Sequence, residues 1–240
     1  RKRKLHWVCF DEIHKMPKWK NILKSYFDAY EKRARFAITG SARLDLFRRS
    51  GDSLTGRYFL FHLLPLTLFE LTRTREKTLK FYPSSEAFIE RRLANTQSSH
   101  QSSMETLLTF SGFPEPFLKG EHPFLKRWQQ DSLDRLVRED LRDLTKISGL
   151  ENVATLVHLL PERIGSPLSV NSLRGQLEVS HETIQNYLAA LRLCYAVFSV
   201  SAYTKKVNRA VTKEKKVYFF DWTRNEDPAK RFENYVACEL

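Results

Sequence analysis

The sequence predicts an α/β unit followed by a mainly helical region, the class α/β plus α. Three observations carry this. Leu5 to Phe10 is a short, near-continuous apolar run of the kind that makes a parallel strand covered on both faces. A helical stripe and a second apolar run, Phe36-Ala37-Ile38, come next and complete a βαβ unit with a right-handed crossover. Between Val153 and Leu191 the apolar periodicity turns helical three times, and two short strand patterns close the chain.

Each element has its own local reason. Pro17 opens the first helix at a favoured first-turn position, and Trp19, Ile22, Leu23, Tyr26, Phe27 and Tyr30 make its apolar stripe. Ala42 to Arg49 reads as a short helix, Ser53 to Arg57 as a loop, and Tyr58 to Leu64 as a third apolar strand closed by Pro65. Helical patterns follow. The polar stretch Asn95 to Ser103 reads as a linker between the first domain and the rest. Pro123 to Gly149 is a long charged helix that buries Trp128, Leu133, Leu136, Val137 and Leu141. It turns Arg135, Arg138, Arg142 and Lys146 outward among acids, as a solvated face of ion pairs.

Leu156, Val157, Leu159 and Leu160 belong to the first of the three later helices. Ser169 caps the second and Ser180 the third, with Glu178-Val179 as the tight turn between them. Leu193 to Ala202 and Val217 to Phe220 are the strands, joined by a basic segment. Helix-turn-helix followed by a basic hairpin is a winged helix pattern.

Composition excludes several classes. Of 240 residues, 42% are hydrophobic, enough for a core and too many for a disordered chain. No apolar run approaches the ~18–20 residues that span a bilayer. Arg1-Lys2-Arg3-Lys4 is followed by an apolar run that stops at Asp11, so no secretory leader is read, and the chain is expected to be cytoplasmic without a membrane partner. The first residue is not Met, which suggests a piece of a longer protein. The three cysteines, Cys9, Cys194 and Cys238, lack CxxC spacing and are expected to be small buried hydrophobes rather than zinc ligands or disulfides. The net charge of +12, with a pI near 9.7, fits either a polyanionic partner such as nucleic acid or a lysine-solvated surface.

The chemistry concentrates where the first strand ends, at Asp11-Glu12. An apolar strand delivering two acids is the Walker B pattern, in which Asp11 holds Mg2+ through its water shell and Glu12 polarises the attacking water. Ligand groups of such sheets gather at the carboxyl ends of the strands, where Thr39 and Ser41 also fall as candidate γ-phosphate sensors. Gly56-Arg57 is either an arginine finger for a neighbouring subunit's ATP or an ordinary loop arginine. The 240 residues contain no G-x-x-x-x-G-K-[ST]. Gly51 and Gly56 have the spacing, but Arg57 and Tyr58 replace the lysine and the hydroxyl that such a loop requires.

In the third late helix the exposed positions are expected to be His181, Glu182, Gln185 and Asn186. Gln and Asn can read adenine edges, but positions 181–191 hold no Lys or Arg for phosphates. The following hairpin supplies Lys205, Lys206, Arg209, Lys213, Lys215 and Lys216, a salt-dependent anchor for double-stranded DNA if the module binds DNA rather than protein.

Several short stretches occur in a telling order: Asp11-Glu12-Ile13-His14-Lys15, Thr39-Gly40-Ser41-Ala42-Arg43-Leu44, Leu54-Thr55-Gly56-Arg57-Tyr58, Leu64-Pro65-Leu66, Gly112-Phe113-Pro114-Glu115, Ser180-His181-Glu182-Thr183-Ile184 and Arg231-Phe232-Glu233-Asn234-Tyr235-Val236-Ala237. Together they resemble the prokaryotic AAA+ ATPases that carry a C-terminal winged helix domain and, after it, a nuclease-like domain. The resemblance implies an incomplete parallel-sheet AAA+ core over 1–94, a helical lid or linker over 104–149, a winged helix domain over 150–222, and the start of a truncated nuclease-like domain over 229–240, with Glu233 matching an acid of that motif. It implies ATP and Mg2+ as cofactors of the intact protein, a DNA or protein partner, and a homo-oligomer. The family's phosphate-binding strand and loop should precede Leu5, so a gap is expected between the retained strands. This chain alone is expected to bind ATP weakly or not at all, and a non-enzymatic DNA-binding regulatory module stands as the alternative.

Overall fold

The computed structural model describes residues 6–40, 57–72, 83–94, 98–142, 147, 149–203 and 214–240. Ser41, the helix read at 42–49, the loop 53–56, Lys146, and the hairpin cations Lys205, Lys206, Arg209 and Lys213 lie outside these residues.

Strands β1 (His6–Phe10) and β2 (Ala34–Ile38) pair in parallel, His6 opposite Ala34 through Phe10 opposite Ile38. Helix α1 (Trp19–Tyr30) crosses between them. Ile13 and Leu23 are buried against Phe10, Trp19 and Ile38, so one face of the strand pair is covered. The helix starts two residues after Pro17, because Lys18 takes a left-handed conformation at φ 56° and serves as its N-cap. The other face of β1 is bare among the described residues: Trp7 and Cys9 are exposed. The expectation that all three cysteines are buried therefore fails at Cys9, on the side of β1 that α1 does not reach.

The third predicted strand, Tyr58 to Leu64, joins no ladder among the described residues, and Phe59, Phe61 and Leu63 are almost wholly exposed. Alternating apolar residues favour a strand, but a strand exists only where a neighbour takes its backbone hydrogen bonds. β1 and β2 themselves stand side by side, so the expected gap does not separate them.

Helix α2 (Leu68–Thr72) opens on a capping box, in which Thr67 Oγ1 accepts from the Glu70 amide and the Glu70 carboxylate accepts from the Thr67 amide. Helices α3 (Ser85–Ala94) and α4 (Ser98–Phe110) follow. The linker read at Asn95 to Ser103 is therefore helical from Ser98 onward. Its serines are weak breakers, and full burial of Leu107 outweighs them. Helix α5 (Pro114–Lys119) has proline in its first turn, and α6 (His122–Arg135) runs on as a π-helical turn, Leu136–Leu141.

Helices α7 (Leu150–Leu159), α8 (Val170–Leu177) and α9 (His181–Leu193) are the three predicted ones. Ser169 accepts from the Ser172 amide and Ser180 from the Thr183 amide, as N-caps should. Glu178, at φ 53°, makes the turn between α8 and α9. Strands β3 (Val197–Val200) and β4 (Lys216–Phe219) pair antiparallel, and Pro167 forms a bridge to Lys216, extending the pair at its β4 edge. Helix α10 (Pro228–Glu239) is capped by Asp227 and closes the chain.

One core runs through α6, α7, α8, α9 and both late strands, from Leu133 and Leu141 to Leu191 and Phe219. A second joins α4 to α10 through Leu107, Trp222 and Tyr235. Trp222 donates its indole N–H to the Leu107 carbonyl at 2.8 Å and meets Tyr235 edge-on at 5.2 Å. Gly112 lies beneath this ring, and a Cβ there would sit 2.6 Å from Trp222 and 2.7 Å from the Leu66 carbonyl. The Gly112→Ala variant is expected to lose about 2–3 kcal/mol of stability, read by urea unfolding, because backbone lies on one side and a fixed indole on the other.

Candidate functional site

The acids sit where the strands end. Asp11 and Glu12 follow β1 directly, and Thr39 follows β2, its amide donating to the Phe10 carbonyl at 2.9 Å to extend the ladder by one step. The Thr39 hydroxyl donates to the Asp11 carboxylate and accepts from the Glu12 amide, at 3.3 Å for the latter. One side chain thus ties two neighbouring strand ends into a single polar cluster. Glu12 is held at φ 49°, a conformation that costs a non-glycine residue on the order of 1 kcal/mol and recurs at functional sites. The 3-10 turn Ile13–Lys15 follows at once, and Lys15 reaches back to the Glu12 carboxylate at 3.4 Å. Lys15 is mostly exposed, so this pair contributes little to stability.

The donor chemistry fits magnesium held largely through water: hard oxygen atoms from Asp11, Glu12 and Thr39, with few protein ligands. Among the described residues no cluster of three His, Cys, Asp or Glu side chains could hold a metal outright.

Arg57 lies apart from this cluster. It donates to Asp28 at 2.7 Å and its guanidinium stands 5.6 Å from the Phe27 ring centre. Asp28 is nine residues beyond the start of α1, about 14 Å of helix rise, toward the opposite edge of the strands. That partner, 29 residues away, leaves no mark in the sequence pattern, and sequence reading missed it.

In the C-terminal half, His181, Glu182, Gln185 and Asn186 are exposed together on α9, while Ile184, Tyr187, Leu188 and Leu191 are buried. Of the basic hairpin positions, Lys215 is exposed and Lys216 is engaged: its ammonium meets Glu233 of α10 at 2.9 Å. The Tyr218 hydroxyl donates to the same Glu233 oxygen at 2.8 Å. Gly165, at φ 84°, leaves room for this, since a Cβ there would meet the Glu233 carboxylate at 2.7 Å. The next residue, Asn234, donates to the Phe219 carbonyl and accepts from its amide, as a neighbouring strand would.

Residues 101–223 match the family model described as a domain of unknown function, DUF8612. That is just over half of the chain. The chain belongs to the DUF8612 family. Residues 1–72 match the model of an AAA domain, so the acid-bearing strand pair lies in an AAA-like segment, as the resemblance implied. Comparison with curated proteins and with solved structures gave no match. The DUF8612 match runs from within α4 through α9, the β3–β4 pair and Trp222, and stops short of α10. Among the described residues no helix is long and apolar enough to cross a membrane.

Titration reflects the α10 clamp. Hydrogen bonds from Lys216 and Tyr218 hold the Glu233 carboxyl below its ordinary value, and burial with Glu233 beside it pushes the Tyr218 phenol up to about 12. A depressed carboxyl stabilises the fold above pH 4.5, its unfolded value, and loses that contribution as pH falls through the folded value. Glu233→Gln is accordingly expected to flatten the loss of stability below about pH 4.5, as read by urea midpoints across an acid pH series.

Proposed function

We propose that this chain carries the metal- and water-facing half of an AAA-type ATP-hydrolysing site, joined to a winged helix module that binds DNA or protein. The observation that carries the reading is the single cluster of Asp11, Glu12 and Thr39 at the carboxyl ends of two paired parallel strands. Ligands of open parallel sheets bind at that edge. In this reading Asp11, positioned by the Thr39 hydroxyl, would hold the water shell of Mg2+, Glu12 would orient the attacking water, and Thr39 or Ser41 would sense the γ-phosphate. Magnesium, when bound with ATP, supplies the charge that offsets the phosphates. Arg57 acts as a finger toward a neighbouring subunit's ATP in a homo-oligomer once it leaves Asp28.

The phosphates also need a cradle of backbone amides and a lysine. The sequence holds no such motif, so calorimetric titration of the 240-residue chain is expected to give no ATP binding at micromolar concentration. Binding at that level would overturn the half-site reading. In a longer form with a strand and a G-x-x-x-x-G-K-[ST] loop ahead of Arg1, Glu12→Gln is expected to abolish hydrolysis and spare ATP binding.

The winged helix reading over 150–222 draws support from the helix order, the capped α8–α9 turn and the antiparallel pair bridged to Pro167. DNA contact then assigns base reading to His181, Gln185 and Asn186, and phosphate contact to Lys205, Lys206 and Arg209. The alternative, a non-enzymatic regulatory module, keeps this surface and drops the ATP chemistry. Changing Lys205, Lys206 and Arg209 together to Ala is expected to weaken duplex binding about tenfold or more and to reduce its salt slope by about three. Unchanged affinity and slope would leave the module a protein binder.

A further inference from the structure

We infer that residues 58–64 pair with the same residues of a second copy of this chain, as an antiparallel strand pair about a twofold axis. Phe59, Phe61 and Leu63 recur at the period of a strand and are 90%, 85% and 102% exposed. Among the described residues no strand pairs with them. Single apolar side chains on a surface are ordinary, but three on one side of a strand-period segment make a contiguous patch, the mark of a contact surface. This contact needs neither ATP nor DNA.

The segment is held ready at both ends. Before it, Arg57 is tied to Asp28 at 2.7 Å. After it, the Leu66 amide donates to the Gly112 carbonyl at 2.7 Å. The His62 ring rests against Tyr195 at 5.4 Å, so one side of the segment leans on the DUF8612 region while Phe59, Phe61 and Leu63 stay outward. Fixing the segment beforehand lowers the entropy cost of pairing.

The composition of the segment favours its own copy over another partner. Natural sheet edges are guarded by charge or proline, and positions 58–64 contain no Asp, Glu, Lys, Arg or Pro. A charged peptide or a nucleic acid finds no charged side chain there to pair with. Centred on Phe61, an antiparallel register sets Phe59 opposite the partner's Leu63 and Phe61 opposite its own counterpart, apolar against apolar at each position of that side. The backbone groups of Phe59, Phe61 and Leu63 then take the ladder bonds. Three side chains of this size expose on the order of 500 Å2 per copy, so a pair buries roughly 1,000 Å2, the floor of a specific interface. Pro65 ends the ladder, and a twofold contact uses the same patch on both copies, so association stops at the dimer.

Sedimentation equilibrium of the full chain over about 1–200 µM is expected to show monomer passing into dimer and no larger species, as suits an interface at the small end of the range. Each copy carries +12, so raising the salt from about 50 to about 300 mM is expected to tighten the dimer by screening the repulsion. Phe59→Lys and Leu63→Glu are each expected to weaken the dimer about tenfold or more, with an unchanged urea midpoint separating lost pairing from lost folding. Mixed in equal amounts, the two variants are expected to recover dimer, because the register sets position 59 of one opposite position 63 of the other. A chain that stays monomeric throughout, grows beyond the dimer, or dissociates as salt rises overturns the pairing. Undiminished dimer in either single variant places the contact elsewhere and overturns it too, and variants that stay monomeric when mixed overturn the antiparallel register.

Discussion

Burying the Trp222 ring is the constraint that brings α4, α10 and the end of β4 together. The indole has one polar atom, and the Leu107 carbonyl in α4 takes its proton. The ring then covers Gly112, meets Tyr235 of α10, and sits one residue beyond the Asp221 carboxylate that gathers Thr223, Gln129 and Arg224. Helices α4 and α10 and the end of β4 converge on it. Removing water from so large a ring is favourable, but only a chain that brings α4, β4 and α10 to one point can do so. Asn234 and Glu233 hold α10 there by bonding to the backbone and side chains of β4.

The N-terminal strand pair is organised on the opposite principle. Among the described residues Ile13 and Leu23 are its buried apolar residues, and Trp7, Phe59, Phe61 and Leu63 remain exposed. Its precision is polar instead: the Thr39 hydroxyl bridges Asp11 and the Glu12 amide, and Glu12 accepts a left-handed backbone to do so. Two strand ends brought into register place these groups together, which is why the cluster appears even though the sheet is small.

Much of this was legible in the sequence for local reasons. β1, α1 and β2 follow from short apolar runs and a helical stripe. The N-caps Ser169 and Ser180 follow from a hydroxyl placed just before apolar periodicity. Gly112-Phe113-Pro114-Glu115 could be recognised as a motif, and the fold supplies its reasons: Gly112 for the indole, Pro114 for the first turn of α5, Glu115 to accept from Trp128 at 2.9 Å. Other readings failed where a distant neighbour decides. Tyr58 to Leu64 has the pattern of a strand and no partner among the described residues, and Asn95 to Ser103 has the composition of a linker but enters α4 because Leu107 is buried.

The sequence by itself determined the order of the elements, their caps, and the delivery of Asp11 and Glu12 to a strand end. These depend on residues within a few positions of one another, through backbone conformation and side-chain period. Only the tertiary structure decided the pairings of Thr39 with Asp11, of Arg57 with Asp28, and of Lys216 with Glu233. Those join residues that are 28, 29 and 17 positions apart. No local pattern encodes them, because they arise from which faces are driven together when apolar surface leaves water.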